Sequence, residues 1–106
     1  MFARNVCVHL KPAMLNDYNK TFANDVLPLL RKQEGFQDEL VCISSDGTKA
    51  FGLSLWDQKA NAEAYVRNTY PEVEKILSDV IEGAPRIYTY TVANSTFHKI
   101  AASASA

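Results

Sequence analysis

Asn5 and His9 share one side of an apolar run, Phe2 to Leu10, whose other side carries Phe2, Arg4, Val6, Val8 and Leu10. Alternate residues of an extended strand point to opposite faces, so Asn5, Cys7 and His9 form a polar row. Inside a protein such a row needs partners or a wet cavity, because each unpaired buried polar group costs about 1–3 kcal/mol. An imidazole with an ordinary pKa of ~6.5 can take a proton from a phenol, and an asparagine amide can hold the phenol oxygen. His9 as general base and Asn5 as its hydrogen-bonding companion are therefore the candidate catalytic pair. The plain alternative has His9 bonded to a helix residue such as Tyr18, or reaching solvent at the strand end.

Trp56 and Tyr65 can supply an aromatic wall beside that row, with Tyr18 and Phe22 from a helical stripe as further ligand contacts. Aromatics at such positions also serve simply as core. Arg86, Tyr88 and Tyr90 alternate along the last apolar run and suit an anionic or phenolic ligand, or a subunit interface, where tyrosine and arginine are enriched. Asp38 and Glu39 open a strand and read as solvated, and Glu72 and Glu74 lie on an exposed helix face. There is no glycine-rich phosphate loop, no Ser-His-Asp pattern and no metal-ligand spacing. Neither a metal nor an organic cofactor is expected.

The elements that position these residues centre on Gly35 to Asp57. Two apolar runs flank Ser45-Asp46-Gly47-Thr48, and Asp-Gly between β-rich runs predicts a two-residue hairpin turn with positive φ at both central residues. Beyond the turn, Phe51, Leu53 and Leu55 fall on one face and Ala50, Gly52, Ser54 and Trp56 on the other. Neither face is purely polar, so both sides of the hairpin should be covered. Upstream, Lys11-Pro12 ends the first strand, and Leu15, Tyr18, Phe22, Val26, Leu29 and Leu30 recur at helical spacing. Pro28 within that stripe predicts a kink or break near Asn24-Asp25, and Gly35 supplies the stop. Asp57 is the expected cap of a helix over 59–68. Thr69, Pro71 and Glu72 start a second one, whose stripe is Val73, Ile76, Leu77, Val80 and Ile81 and which Gly83 closes. A last strand runs from Pro85 to Val92.

The order β-α-β-β-α-β predicts an α+β, ferredoxin-like sandwich with a four-stranded antiparallel sheet in the order 4-1-3-2 and both helical segments on one face. If Asn5 and His9 look toward the helices, Val6, Val8 and Leu10 line the opposite face, and a second copy of the chain would cover them. The domain is expected to span 1–93, with 94–106 an extension whose end frays.

The chain has 106 residues, eleven basic against twelve acidic, and a formal net charge of −1. It lacks the basic patch that nucleic acid or an acidic membrane would require, and any apolar run long enough to span a bilayer. Cys7 and Cys42 read as a buried, unbridged thiol pair in a reducing compartment, which points to the cytoplasm.

The chain resembles the antibiotic biosynthesis monooxygenase-like domains of the dimeric α/β barrel superfamily. The residues that carry the likeness are Lys11-Pro12, Gly35-Phe36, Leu55-Trp56-Asp57 and the Ala64-Tyr65 helix, within about 2–93. The resemblance implies a homodimer with a pocket between sheet and helices in each subunit. It implies a cofactor-independent monooxygenase acting on a small aromatic substrate of quinol or anthrone type. A non-catalytic barrel that binds a small hydrophobic ligand or a partner is the alternative. The haem-degrading branch fits less well: its strand asparagine matches Asn5, but Tyr65 stands at its tryptophan and Lys75 at its iron ligand, and a protonated lysine cannot replace an imidazole.

Overall fold

The computed structural model describes residues 1–97; residues 98–106 of the proposed extension, His98 among them, lie outside them. Strand β1 (Phe2–Leu10) is followed by helix α1 (Leu15–Thr21), a π-helical turn (Phe22–Val26) and helix α2 (Leu27–Arg31). Strands β2 (Phe36–Ile43) and β3 (Lys49–Trp56) form the hairpin. Helices α3 (Lys59–Asn68) and α4 (Tyr70–Leu77) then lead to strand β4 (Ile81–Thr91). The sheet is antiparallel in the order β2-β3-β1-β4, the predicted ferredoxin-like arrangement. No helix among the described residues is long and apolar enough to cross a membrane.

The interruption expected from Pro28 takes the form of the π turn. Leu27 donates its N–H to Phe22 O, five residues back, so the helical ladder changes register just before the proline. Pro28 then falls in the first turn of α2, where a missing donor is harmless. The wider turn also keeps a stripe at strict four-residue spacing, Tyr18, Phe22, Val26 and Leu30, turned to the sheet. All four are buried; on an uninterrupted α-helix of 3.6 residues per turn that stripe would drift sideways by about 40° at each step.

Three local expectations are corrected. The hairpin loop runs from Ser44 to Thr48, and only Gly47 has positive φ, at +73°. Asp46 keeps an ordinary backbone because its carboxylate accepts hydrogen bonds from Ser44 Oγ, Thr48 Oγ1 and the Thr48 N–H at 2.7–3.0 Å. Those bonds, the Ser44 hydroxyl first, hold its pKa down at about 2. Gln58 rather than Asp57 caps α3; Asp57 instead accepts from Asn61 Nδ2 at 2.8 Å. Helix α4 ends at Leu77, and Ile81 already belongs to β4, where it pairs with Leu10. Between the pairs Cys7–Arg86 and His9–Glu82 the longer β4 bulges outward, with Gly83 at φ +75°.

The largest correction concerns the two faces of the sheet. Val8 and Leu10 are 7% and 5% exposed and belong to the core with Ala50, Trp56 and the helical stripes. Arg4, Val6, Val8 and Leu10 therefore face the helices, and Asn5, Cys7 and His9 face away. Burial decides the phase: the row richer in branched apolar side chains goes under the helices. Cys42 is exposed and both cysteines are free, so the buried thiol pair is not found.

After β1, Met14 N donates to Lys11 O at 3.1 Å across Pro12 and Ala13, and Ala13 has φ +62°. An L-residue in this left-handed region costs about 1–2 kcal/mol. Ala13→Gly should therefore raise stability by about 0.5–1 kcal/mol after glycine's unfolded-state entropy is deducted, measured as a rise of a few degrees in the thermal midpoint. A lower midpoint would contradict the turn.

Candidate functional site

A cavity of about 440 Å³ lies between the inner sheet face and the helices. Its floor follows the sheet register row by row. Arg4 of β1 sits beside Ser54 of β3, and Ser54 beside Glu39 of β2, so one polar row crosses three strands. The next row is Val6, Gly52 and Val41, and the row on the other side is Phe2, Trp56 and Phe36. Helix residues Tyr18, Phe22, Val26 and Leu30 form one wall, and Tyr65, Tyr70, Val73 and Leu77 another. Glu74, Ser78 and the Gly83-Ala84-Pro85 bulge line the rest of its margin.

The room exists because β3 turns its small residues inward. At Gly52 an added Cβ would stand 2.6 Å from Glu39 Oε2 and 3.9 Å from the Phe22 ring. The carboxyl of Glu39 thus leans across β3 into the space that glycine leaves. Burial pushes its pKa from 4.5 up to about 8, against the pull of the Arg4 charge. A carboxyl in this state is mostly protonated at neutral pH and ionises just above it, the range in which a side chain works as a general base.

Arg4 is only 5% exposed. Its guanidinium lies 4.1 Å from the centre of the Tyr70 ring and 5.9 Å from that of Tyr65, within cation–π range. Burial raises the Tyr18 pKa to about 12 and those of Tyr65 and Tyr70 upward too, so these phenols stay neutral. Trp56 is fully buried; its indole N–H donates to Ser54 Oγ at 2.9 Å, and its ring packs 5.2 Å from Tyr65 and 5.6 Å from Phe36.

Of the residues expected from sequence, Tyr18, Phe22 and Tyr65 line this cavity. Trp56 stands behind Tyr65 and supports it. His9 and Arg86 do not reach the cavity. With Cys7, Cys42, Lys49 and Phe51 they border a separate depression of about 310 Å³ on the opposite face. Asn5 is also on that face, where its Oδ1 is buried without a hydrogen-bond partner among the described residues. The pairing of His9 with Asn5 as walls of the helix-covered pocket is therefore corrected. Lys75, at the position matched to an iron ligand, is on the exposed side of α4.

Glu39, expected with Asp38 to be solvated, instead lines the cavity, and Arg4, Gly52, Ser54 and Tyr70 join it there without having been site candidates from sequence. A signal was present in Arg4, the one charge on the most apolar face of a central strand. Glu39 was legible only through hairpin register, which sets it against Ser54.

Neither a protein-family model nor a curated protein sequence matches the chain. Solved structures do. One is a monooxygenase from the Streptomyces coelicolor gene ActVA-Orf6, in complex with nanaomycin D, 22% identical over 89% of this chain and 88% of its own, with a TM-score of 0.72. Another is SnoaB, a cofactor-independent oxygenase from Streptomyces nogalater, 10% identical over 90% and 95%, with a TM-score of 0.76. A third, from Bordetella bronchiseptica and assigned to the antibiotic biosynthesis monooxygenases, is 14% identical over 86% and 95%, with a TM-score of 0.75. These likenesses establish the fold of the single chain, the ferredoxin-like sandwich expected from sequence.

Because the folded protein holds a proton on Glu39 that the unfolded chain releases, stability should be full below pH 4.5 and decline as the pH rises toward 8. Glu39→Gln should abolish that decline, stabilising the protein by about 1–3 kcal/mol at pH 8.5 and little at pH 5, once partial solvent access is allowed for. Urea midpoints at the two pH values check this; parallel curves for both proteins would disprove the burial of the acid.

Proposed function

We propose that the chain is a cofactor-independent monooxygenase acting on a small aromatic substrate of quinol or anthrone type, and that it works as a homodimer. The observation that carries this reading is a largely apolar cavity of about 440 Å³ into which one carboxyl leans, with its pKa at about 8. The fold shared with a cofactor-independent oxygenase supports it.

In this reading Glu39, not His9, is the general base. Its carboxylate removes a proton from the acidic methylene or hydroxyl of the bound ring, leaving an electron-rich anion. That anion gives an electron to O₂, and recombination forms a peroxide at carbon. Glu39 returns its proton to the peroxide anion, and loss of water then converts a ring CH₂ to C=O, so one oxygen atom enters the product and the other leaves as water. The protein's part is to bind the ring, take the proton and exclude bulk water. Phe22, Val6, Val26 and Val73 provide apolar surface for the ring, and Gly52 leaves Glu39 its place over the floor.

Oxygen uptake with a panel of anthrones and quinols tests the assignment. Wild-type turnover should rise with pH through about 8 as Glu39 ionises. Glu39→Gln should lose roughly 10²–10⁴-fold, and its residual rate should keep rising with hydroxide, whereas His9→Ala should match the parent. No oxygen uptake above background, or a fully active Glu39→Gln, would sink the catalytic reading and leave a ligand-binding barrel.

The face that Asn5 occupies supports the homodimer. Leu40, Phe51, Tyr88 and Tyr90 are 48%, 36%, 46% and 52% exposed there, and they share the face with Asn5 Oδ1, which has no hydrogen-bond partner among the described residues. A second copy would cover the apolar side chains and could bring a donor to Asn5; the interface is thus moved from Val6, Val8 and Leu10 to these residues. The two free thiols, Cys7 and Cys42, would suit a reducing compartment such as the cytoplasm. Light scattering should give twice the chain mass, for an interface above ~1,000 Å². Phe51→Asp should halve that mass without unfolding the helix-covered core; an unchanged mass would rule out this face.

A further inference from the structure

Arg4 is the charge that the oxygenation scheme leaves unused. It stands in the polar row of the cavity floor, and fully buried Trp56 occupies the next row and closes that end. A guanidinium stays protonated inside proteins, and a buried charge is costly unless it is paired or hydrogen-bonded. The groups around it come from every element packed there: Ser54 from β3, Glu39 from β2, Tyr18 from α1, Tyr65 from α3, and Tyr70 and Glu74 from α4. The three tyrosines are neutral at ordinary pH. Tyr70 offers its ring face, and Glu74 is exposed. Glu39 is mostly protonated below about pH 8. At neutral pH the closed end therefore carries a positive charge without an ionised counterpart from Glu39, in surroundings where water screens poorly.

We propose that this end of the cavity is a receptor for an aromatic oxyanion, a phenolate, enolate or arenecarboxylate, seated against the Arg4 guanidinium, so that the protein selects acidic aromatics over neutral ones of equal shape. The inference rests on the cavity being the ligand site, as in the reading above, but not on any reaction with oxygen. An anion on Arg4 makes charge-assisted hydrogen bonds, which are shorter and stronger than neutral ones. The ring behind it meets Val6, Phe22 and Val73. Protonated Glu39 can add an O–H donor to the same oxygen, whereas ionised Glu39 would repel it.

Calorimetric titration with 2-naphthoate and 2-naphthamide, equal in shape and unlike in charge, tests this on the full chain. At pH 6.5 the wild type should bind the naphthoate at least ~10-fold more tightly. At pH 9.5 that advantage should shrink in the wild type, because Glu39 then ionises beside the site, and persist in Glu39→Gln. Arg4→Met should lose the preference and Arg4→Lys retain part of it. If Arg4→Met fails to fold by circular dichroism, the pH comparison between wild type and Glu39→Gln decides alone. 4-Nitrophenol, coloured only when ionised, separates the two sources: a bound phenol that ionises at lower pH assigns phenolates, and naphthoate binding without that shift assigns carboxylates. Equal affinity for the two naphthyl compounds, binding of neither, or a preference indifferent to both pH and Arg4 would overturn the proposal. Anion-selective binding without oxygen uptake would uphold it while removing the monooxygenase reading.

Discussion

The burial of one alternating row of β1 and β3 beneath the helices is the constraint on which the rest of this protein depends. Strand periodicity allows only two phases, and a shift of one residue would exchange every side chain between core and outer face. The phase adopted puts Val8, Leu10, Ala50 and Trp56 against Tyr18, Phe22, Val26 and Leu30. Arg4 and Ser54 are carried inward with them, both 5% exposed. The polar row of the cavity is thus a consequence of where the aliphatic residues go.

What makes the site more than a buried salt-forming pair is the mismatch between its two charges. Arg4 cannot give up its proton, whereas Glu39 gives way by holding one, because burial costs the carboxylate more than the arginine returns. The geometry that permits this is local. Gly52 has no side chain to fill the space above β3, and the Glu39 carboxyl moves into it. The aromatic faces of Tyr65 and Tyr70 hold the guanidinium in place without neutralising it. A carboxyl with a pKa of about 8 and a retained positive charge then face the same volume.

The helical wall is adapted to the same volume. Pro28 would break an α-helix at this point, but the π turn ahead of it moves the disturbance to where no donor is lost. Its second effect is to hold four side chains in line over the sheet, so the cavity has a continuous wall. On the opposite side of the sheet, exposed Leu40, Phe51, Tyr88 and Tyr90 form an apolar surface that the helices do not cover.

The sequence by itself determined the element order, the bounds of β1 and α3, the interruption before Pro28 and the left-handed Gly35. These are set by local periodicity, proline's missing donor and glycine's missing Cβ, which act within a few residues of chain. It also marked Tyr18, Phe22 and Tyr65 as neighbours of a pocket. Only the tertiary structure decided which face of the sheet the helices would cover, because both rows of β1 are partly apolar and the choice rests on the total area buried against distant helices. That choice moved Asn5, His9 and Arg86 to the outer face and brought Arg4, Ser54 and Glu39, fifty residues apart at the extremes, into one row. Glu39 looked solvated because a carboxylate at a strand start usually is; its burial follows from its register beside Ser54 and the space Gly52 leaves on the same neighbouring strand, an arrangement that exists only after the hairpin has closed.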